Sequence, residues 1–319
     1  MGRIKVNNPL EEALTKKKTL VLDGALATEL EARGCNLNND LWSASAVIEK
    51  PELIKEIYMD YLKAGADIIT GASYQASIEG FVKRGLSNAE AVQMVIKSVR
   101  LAVEARDEFY NSLDNKERRI KPLVAASIGP YGAYMADGSE YTGNYSIIES
   151  DFRSFHRERI SILVSANPDM LACETIPSFR EAKAILIALK SFARFSTWMS
   201  FSCKDGAHTN SGDLISDCAQ WLDDKPQVAA IGINCTDPKH ILSLINEVKA
   251  STSKPIIVYP NSGETFDTKT KTWQGSPVSL ADYVEEWVDA GARIIGGCCR
   301  TNPADIKAIA DRLKKIKRR

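Results

Sequence analysis

The sequence predicts a closed parallel (β/α)8 TIM barrel, and three observations carry that prediction. Short apolar, β-prone runs alternate eight times with longer amphipathic ones. The short runs are almost continuously apolar, as strands covered on both faces must be. Links from helix to strand are short while those from strand to helix are long, the asymmetry of a barrel that builds a site on one rim.

In chain order the strands are expected at TLVLD (19–23), DIIT (67–70), PLVAAS (122–127), MLACE (170–174), TWMSFS (197–202), AAIGIN (229–234), PIIVY (255–259) and ARIIGG (292–297). A helical pattern follows each, at 51–65, 88–112, 151–166, 178–192, 214–223, 238–250, 279–290 and 303–316. In PELIKEIYMDYLKAGA, Leu53, Ile57, Tyr61 and Ala64 recur at helical spacing before a glycine stop. The last helix opens on Pro303 with an acidic first turn, which suits the positive end of its dipole. An open doubly wound sheet shares this alternation, but no G-x-G-x-x-G turn follows the first strand. Gly65-Ala66, residues 167–169 and Gly291 make short links, whereas 24–50, 73–87, 128–150, 203–213 and 260–278 are long. The βα period runs without a linker, so one domain is expected over 1–319, with its core at about 17–316.

Charge argues against polyanionic partners. The 319 residues carry 41 Lys and Arg against 41 Asp and Glu, which disfavours nucleic acid and anionic membrane surfaces. The basic runs KKK (16–18) and KKIKRR (314–319) are short, and are read as a solvated leader and a last helical turn. No apolar run approaches a signal core or a membrane span, and seven scattered cysteines suit reduced thiols, so a cytoplasmic protein is expected.

Three of those cysteines share a place on the predicted map. Cys235 directly follows the sixth strand, and Cys298 and Cys299 follow the eighth, in IIGGCCRTNP (294–303). Alternate barrel strands feed one interior layer, so these ends can meet at the mouth. Neighbouring residues of a strand point opposite ways. Both thiols can therefore face one point only if the chain leaves the strand, and Gly296-Gly297 are expected to supply the freedom to bend. Three thiolates suit a borderline-soft cation, zinc foremost, and leave a fourth tetrahedral position open. Such an anionic cluster activates water poorly but can hold an incoming substrate thiol as its thiolate. A methyl-bearing sulfonium is a fitting electrophile, because transfer cancels charge. Cys35, Cys173, Cys203 and Cys218 are read as small hydrophobes.

DGALATELEARG (23–34), LWSA (41–44), YLKAGADIIT (61–70), SYQAS (73–77), ETIPS (174–178), GINC (232–235) and GGCCRTNP (296–303) resemble the homocysteine S-methyltransferase family, over nearly the whole chain. The resemblance implies a (β/α)8 barrel, Zn2+ held by Cys235, Cys298 and Cys299, and methionine made from homocysteine and a methyl donor. It also implies that Asp23 and Glu174 lie near the homocysteine amino group. Both end predicted strands, where a carboxylate can pair with an ammonium; a helix cap for Asp23 and a hydrogen-bond hub for Glu174 are the alternatives. Trp42, Ser73 and Tyr74 match positions lining the donor side, with plain rim packing as the alternative. Asn234 could orient a ligand or simply close its strand, and Arg300 could tune the cluster or make a surface ion pair. The absence of folate or cobalamin modules, together with SYQAS and ETIPS, is similar to stand-alone enzymes that use S-methylmethionine, with S-adenosylmethionine as a poorer donor. Betaine is the alternative donor. A vicinal-disulfide sensor is the alternative of another class, but it leaves Cys235 and the carboxylates unexplained. A Ser–His–Asp hydrolase is disfavoured: none of His156, His208 and His240 directly ends a strand, and the two in helical stretches, His156 and His240, are expected to face solvent.

Overall fold

The computed structural model describes residues 6–37, 42–267 and 272–316. Eight strands make one parallel sheet: β1 (Leu20–Val21), β2 (Ile68–Thr70), β3 (Leu123–Ile128), β4 (Met170–Ile176), β5 (Thr197–Phe201), β6 (Val228–Asn234), β7 (Ile256–Tyr259) and β8 (Ala292–Ile295). Each pairs with its neighbours in sequence, and β1 pairs with β8 in the register Leu20–Ile294 and Val21–Ile295. The ring closes where Leu22 bridges Ile68, with Asp67 N donating to Val21 O (2.7 Å) and Asp23 N to Ile68 O (3.1 Å).

The continuous apolarity of the strands follows from their two buried faces. Leu20, Ile68, Met170, Trp198, Ile257 and Ile294 fill the barrel interior. Their alternate neighbours Val21, Ile69, Leu171, Met199, Ile256 and Ile295 point outward against the helices. Those helices are α1 (Pro51–Ala64), α2 (Asn88–Asn111), α3 (Glu149–Ser165), α4 (Phe179–Leu189), α5 (Ile215–Asp223), α6 (Pro238–Ser251), α7 (Val284–Ala290) and α8 (Pro303–Ile316). Their starts are signalled as expected in several cases, by the Ser87–Glu90 capping box of α2 and by Asp237 before Pro238 in α6. Among the described residues, no helix is long and apolar enough to cross a membrane.

Lys16 and Lys18 of the basic run are exposed as expected, but the segment around them is ordered. Residues Pro9–Lys16 form a helix capped by Asn8, and Leu10 and Ala13 enter the interior cluster at the N-terminal end of the barrel. Lys17 then pairs with the buried Asp67 carboxylate. One apolar pair at i, i+3 is too brief a pattern to stand out against the surrounding charge. The long loops on the opposite rim carry structure of their own, including the helices Leu26–Ala32, Ile78–Lys83 and Tyr131–Met135 and an antiparallel hairpin, Thr265–Asp267 with Thr272–Gln274.

Candidate active site at the barrel rim

Past the end of β6 the backbone turns sharply at Cys235, whose φ of 50° is in the left-handed region that non-glycine residues seldom adopt. Its N–H donates to Tyr259 O (3.3 Å), so the turn is held by β7. After β8 the chain runs beside β1 and β7: Gly296 N donates to Val258 O (3.0 Å), Gly297 N to Asp23 O (3.1 Å) and Cys298 N to Pro260 O (2.8 Å). Thr301 closes the turn by donating its hydroxyl to Cys298 O (2.6 Å).

The two glycines serve a different purpose from the expected one. Neither has a left-handed φ; in this stretch that conformation falls to Arg300 (φ 67°). What they provide is room. A Cβ on Gly296 would stand 2.7 Å from Leu22 Cβ, and one on Gly297 would collide with the Thr301 side chain.

These turns bring the three thiols together. Cys235 Sγ lies 3.8 Å from Cys299 Sγ, Cys298 Sγ lies 3.9 Å from Cys299 Sγ, and all three fall within 4.8 Å of one another. Four ligands at zinc–sulfur bond lengths of about 2.3 Å in a tetrahedron separate sulfurs by about 3.8 Å, so the donor set fits such an ion in type and spacing. In Cys235 the hydrogen bond with Cys298 pulls the thiol pKa down, but the bond with Cys299 and burial outweigh it and leave it well above the ordinary value. Three protonated thiols packed this closely are poor ligands for one another. A cation that takes their place as the common partner removes the protons.

Deeper in the mouth lie the two strand-end carboxylates. Burial, opposed by the Thr70 backbone N–H and reinforced by Glu174, holds Asp23 well above the usual carboxylate range. Thr70 donates to Asp23 Oδ2 from its N–H (2.8 Å) and from its hydroxyl (3.2 Å). Burial likewise raises Glu174, which accepts from Ser127 Oγ at one oxygen and from Tyr259 OH at the other (3.0 Å). Among the described residues neither carboxylate has an ion-pair partner. Asn234 ties this layer to the thiols: it accepts from Thr175 N and Ser200 Oγ (both 2.7 Å) and donates to Thr175 Oγ1 (2.7 Å), with Cys298 Sγ 4.0 Å from its Nδ2. It is therefore a fully committed brace as well as the last residue of its strand.

The donor-side positions divide. Tyr74 is half-buried, bonds to the Thr175 side chain and lies close enough to Cys235 to feel its charge. Ser73 is fully buried and donates to Ser127 O (2.8 Å), which favours the packing alternative for its side chain. The side chain of Trp42 lies outside the described part of the chain. Arg300 makes the surface ion pair, with Glu264 (3.2 Å).

Several contributors escaped the sequence reading. Ser127, Ser200 and Tyr259 are polar atoms on apolar strands, and their position at strand ends was the available signal. Arg159, buried in α3, donates to Gly129 O (3.0 Å), Ser73 O (2.6 Å) and Tyr74 O, stapling the loops after β2 and β3. His156 corrects an expectation: it is fully buried rather than solvent-facing, with Nε2 2.9 Å from Glu181 Oε1. A buried carboxylate on the adjacent helix outweighs the default for a helical histidine, and no local pattern announces it.

The family model for homocysteine S-methyltransferase matches residues 20–313. The homocysteine S-methyltransferase YbgG of Bacillus subtilis is 54% identical over 97% of this chain and 99% of its own length. The homocysteine S-methyltransferase of Escherichia coli is 47% identical over 96% and 99%. The crystal structure of the Escherichia coli homocysteine methyltransferase MmuM in its metallated form superposes with a TM-score of 0.87 at 45% identity, covering 96% of this chain and all of that one. With a rim of three converging thiols and two buried carboxylates, the chain belongs to the homocysteine S-methyltransferase family of enzymes.

Proposed function

We propose that the protein methylates homocysteine to methionine with S-methylmethionine as donor and S-adenosylmethionine as a second one, and that Cys235, Cys298 and Cys299 hold Zn2+ for the reaction. The observation that carries this reading is three thiols at tetrahedral spacing and two buried carboxylates that lack an ion-pair partner among the described residues. A relative solved in a metallated form supports it. When bound, zinc supplies the charge that keeps a substrate thiol ionised at neutral pH.

The chain's own residues do the rest. Asp23 and Glu174 receive the homocysteine ammonium, which satisfies two charges that burial alone leaves costly. Asn234 and Tyr259 fix the distance between that ammonium subsite and the sulfurs. Tyr74 presents its ring to the donor, and a cation over an aromatic face is worth about 0.5–2 kcal/mol. The homocysteine thiol gives up its proton to solvent, its sulfur forms a bond to the methyl carbon, and the donor's sulfur–methyl bond breaks to leave a neutral thioether. Holding both sulfurs in line with the methyl group is the main contribution that a rigid rim can make. Thiols that must stay reduced suit the cytoplasm.

Cys235→Ser should lose bound zinc and methyl transfer together, read by metal analysis and by methionine formation. Normal turnover by a metal-free Cys235→Ser protein would overturn the assignment. Offering homocysteine with S-methylmethionine, S-adenosylmethionine or betaine at equal concentration tests the donor, and faster turnover with betaine would reverse that choice.

A further inference from the structure

The oxygens around Glu174 make one more contact than the hydroxyls among them can fill. Ser127 Oγ meets Glu174 Oε1, and Tyr259 OH lies 3.0 Å from Glu174 Oε2. Ser200 Oγ, on β5, lies 2.6 Å from Tyr259 OH and 2.7 Å from Asn234 Oδ1. All five residues are buried from solvent. Each contact joins two oxygens and needs one proton. The hydroxyls of Ser127, Tyr259 and Ser200 supply three protons for four contacts.

Neither neighbour of this chain makes up the deficit. Asn234 presents its oxygen to Ser200, because Thr175 N donates to Oδ1 (2.7 Å) while Nδ2 faces Thr175 Oγ1 (2.7 Å). Trp198 Nε1 donates to the Tyr259 oxygen (2.9 Å), which fills an acceptor position and adds no proton to the chain. With Glu174 ionised and accepting from Tyr259, Ser200 has one proton for two acceptors, and one of its contacts sets lone pairs against lone pairs. With a proton on Glu174 Oε2 every contact is filled. Glu174 then donates to Tyr259, Tyr259 to Ser200, and Ser200 to Asn234.

We propose that Ser200, acting through Tyr259, keeps Glu174 a neutral acid in the ligand-free protein, and that homocysteine binding expels this proton. The second half rests on the reading that Glu174 receives the homocysteine ammonium. An ammonium brings N–H donors and a positive charge, and both favour the carboxylate. The O–H bond of Glu174 breaks, its electron pair stays on the carboxylate, and the proton passes to solvent. The surroundings agree: burial raises Glu174 above the usual carboxylate range against the opposing pull of Ser127, Tyr259 and Arg159. Arg159 of α3 spends its bonds on the carbonyls of Gly129, Ser73 and Tyr74. Asp23 after β1, Tyr58 of α1 and Cys298 after β8 are the acids that feel the Glu174 charge, but its hydrogen-bond partners are Ser127 and Tyr259.

The test is infrared spectroscopy of the zinc-loaded protein at neutral pH, reading the carbonyl band of a protonated carboxyl group. Its loss in E174Q assigns the band to Glu174. The band should be present in the ligand-free wild type and vanish when homocysteine is added. It should be lost from ligand-free S200A, in which Tyr259 is free to donate to an ionised Glu174. Calorimetry in buffers of different ionisation enthalpy should count about one proton fewer released per homocysteine by S200A than by the wild type. A merely structural role for Ser200 shifts stability and leaves both readouts unchanged. No Glu174 band in the ligand-free wild type, or a band that S200A retains, would overturn the neutral acid. A band that outlasts bound homocysteine would overturn its expulsion. If S200A does not fold, wild type against E174Q decides alone. A protein that shows the band and fails to bind homocysteine refutes the functional reading, while the neutral acid stands.

Discussion

Burial raises both Asp23 and Glu174 above the usual carboxylate range, and Glu174 sits close enough to Asp23 to raise it further. For an acid whose pKa rises on folding, the folded state binds the extra proton. These groups therefore favour folding below the ordinary carboxylate range, and that contribution is lost as pH climbs through their raised values. We predict that the ligand-free protein loses melting temperature over this window relative to an Asp23→Asn/Glu174→Gln variant, and that homocysteine restores it. Thermal melts across pH, with and without homocysteine, check this; parallel curves for the two proteins would show that the carboxylates are not uncompensated. The family resemblance, together with their place at the ends of predicted strands, is what singles out Asp23 and Glu174 in the sequence. Thr70, Ser127 and Tyr259, which hold them, were not legible, because a hydroxyl at a strand end is equally common as packing.

Between residue and barrel, the turn after β8 depends on the space left by two missing side chains. Gly297→Ala keeps an ordinary φ but drives a methyl into Thr301, whose hydroxyl holds Cys298. We expect it to cost about 1–3 kcal/mol in denaturant stability and to weaken metal retention, since the collision and the ligand turn are the same few atoms. Full metal occupancy with unchanged stability would refute that account. The strand positions could be read to within two residues or so, since a parallel barrel strand is apolar on both faces and ends in turn residues. The bends could not. Thr175 (φ 58°) and Cys235 (φ 50°) adopt left-handed backbone despite side chains that disfavour it, held by Asn234 and by β7. Their strain is imposed by tertiary bonds that a local pattern does not contain.

At the scale of the molecule, the barrel is shut at one end by the helix Pro9–Lys16 and built up at the other by the long loops. Leu10→Ala should remove interior packing and cost about 2–5 kcal/mol, seen as an earlier urea midpoint, while methyl transfer by the folded fraction is retained because the site is at the far rim. A loss of turnover at full folding would show that the two ends communicate. The alternation of elements made the barrel readable, but it gave no sign that the charged leader contributes to its floor. The closing of the ring has a consequence for biosynthesis. Strand β1 has its partner at residues 294–295, and two of the three sulfurs follow at 298 and 299. A nascent chain cannot complete its ladder or gather the three sulfurs until that segment has been made. Chains cut short before it are thus deprived of the ring closure and of the thiol cluster by the same missing segment.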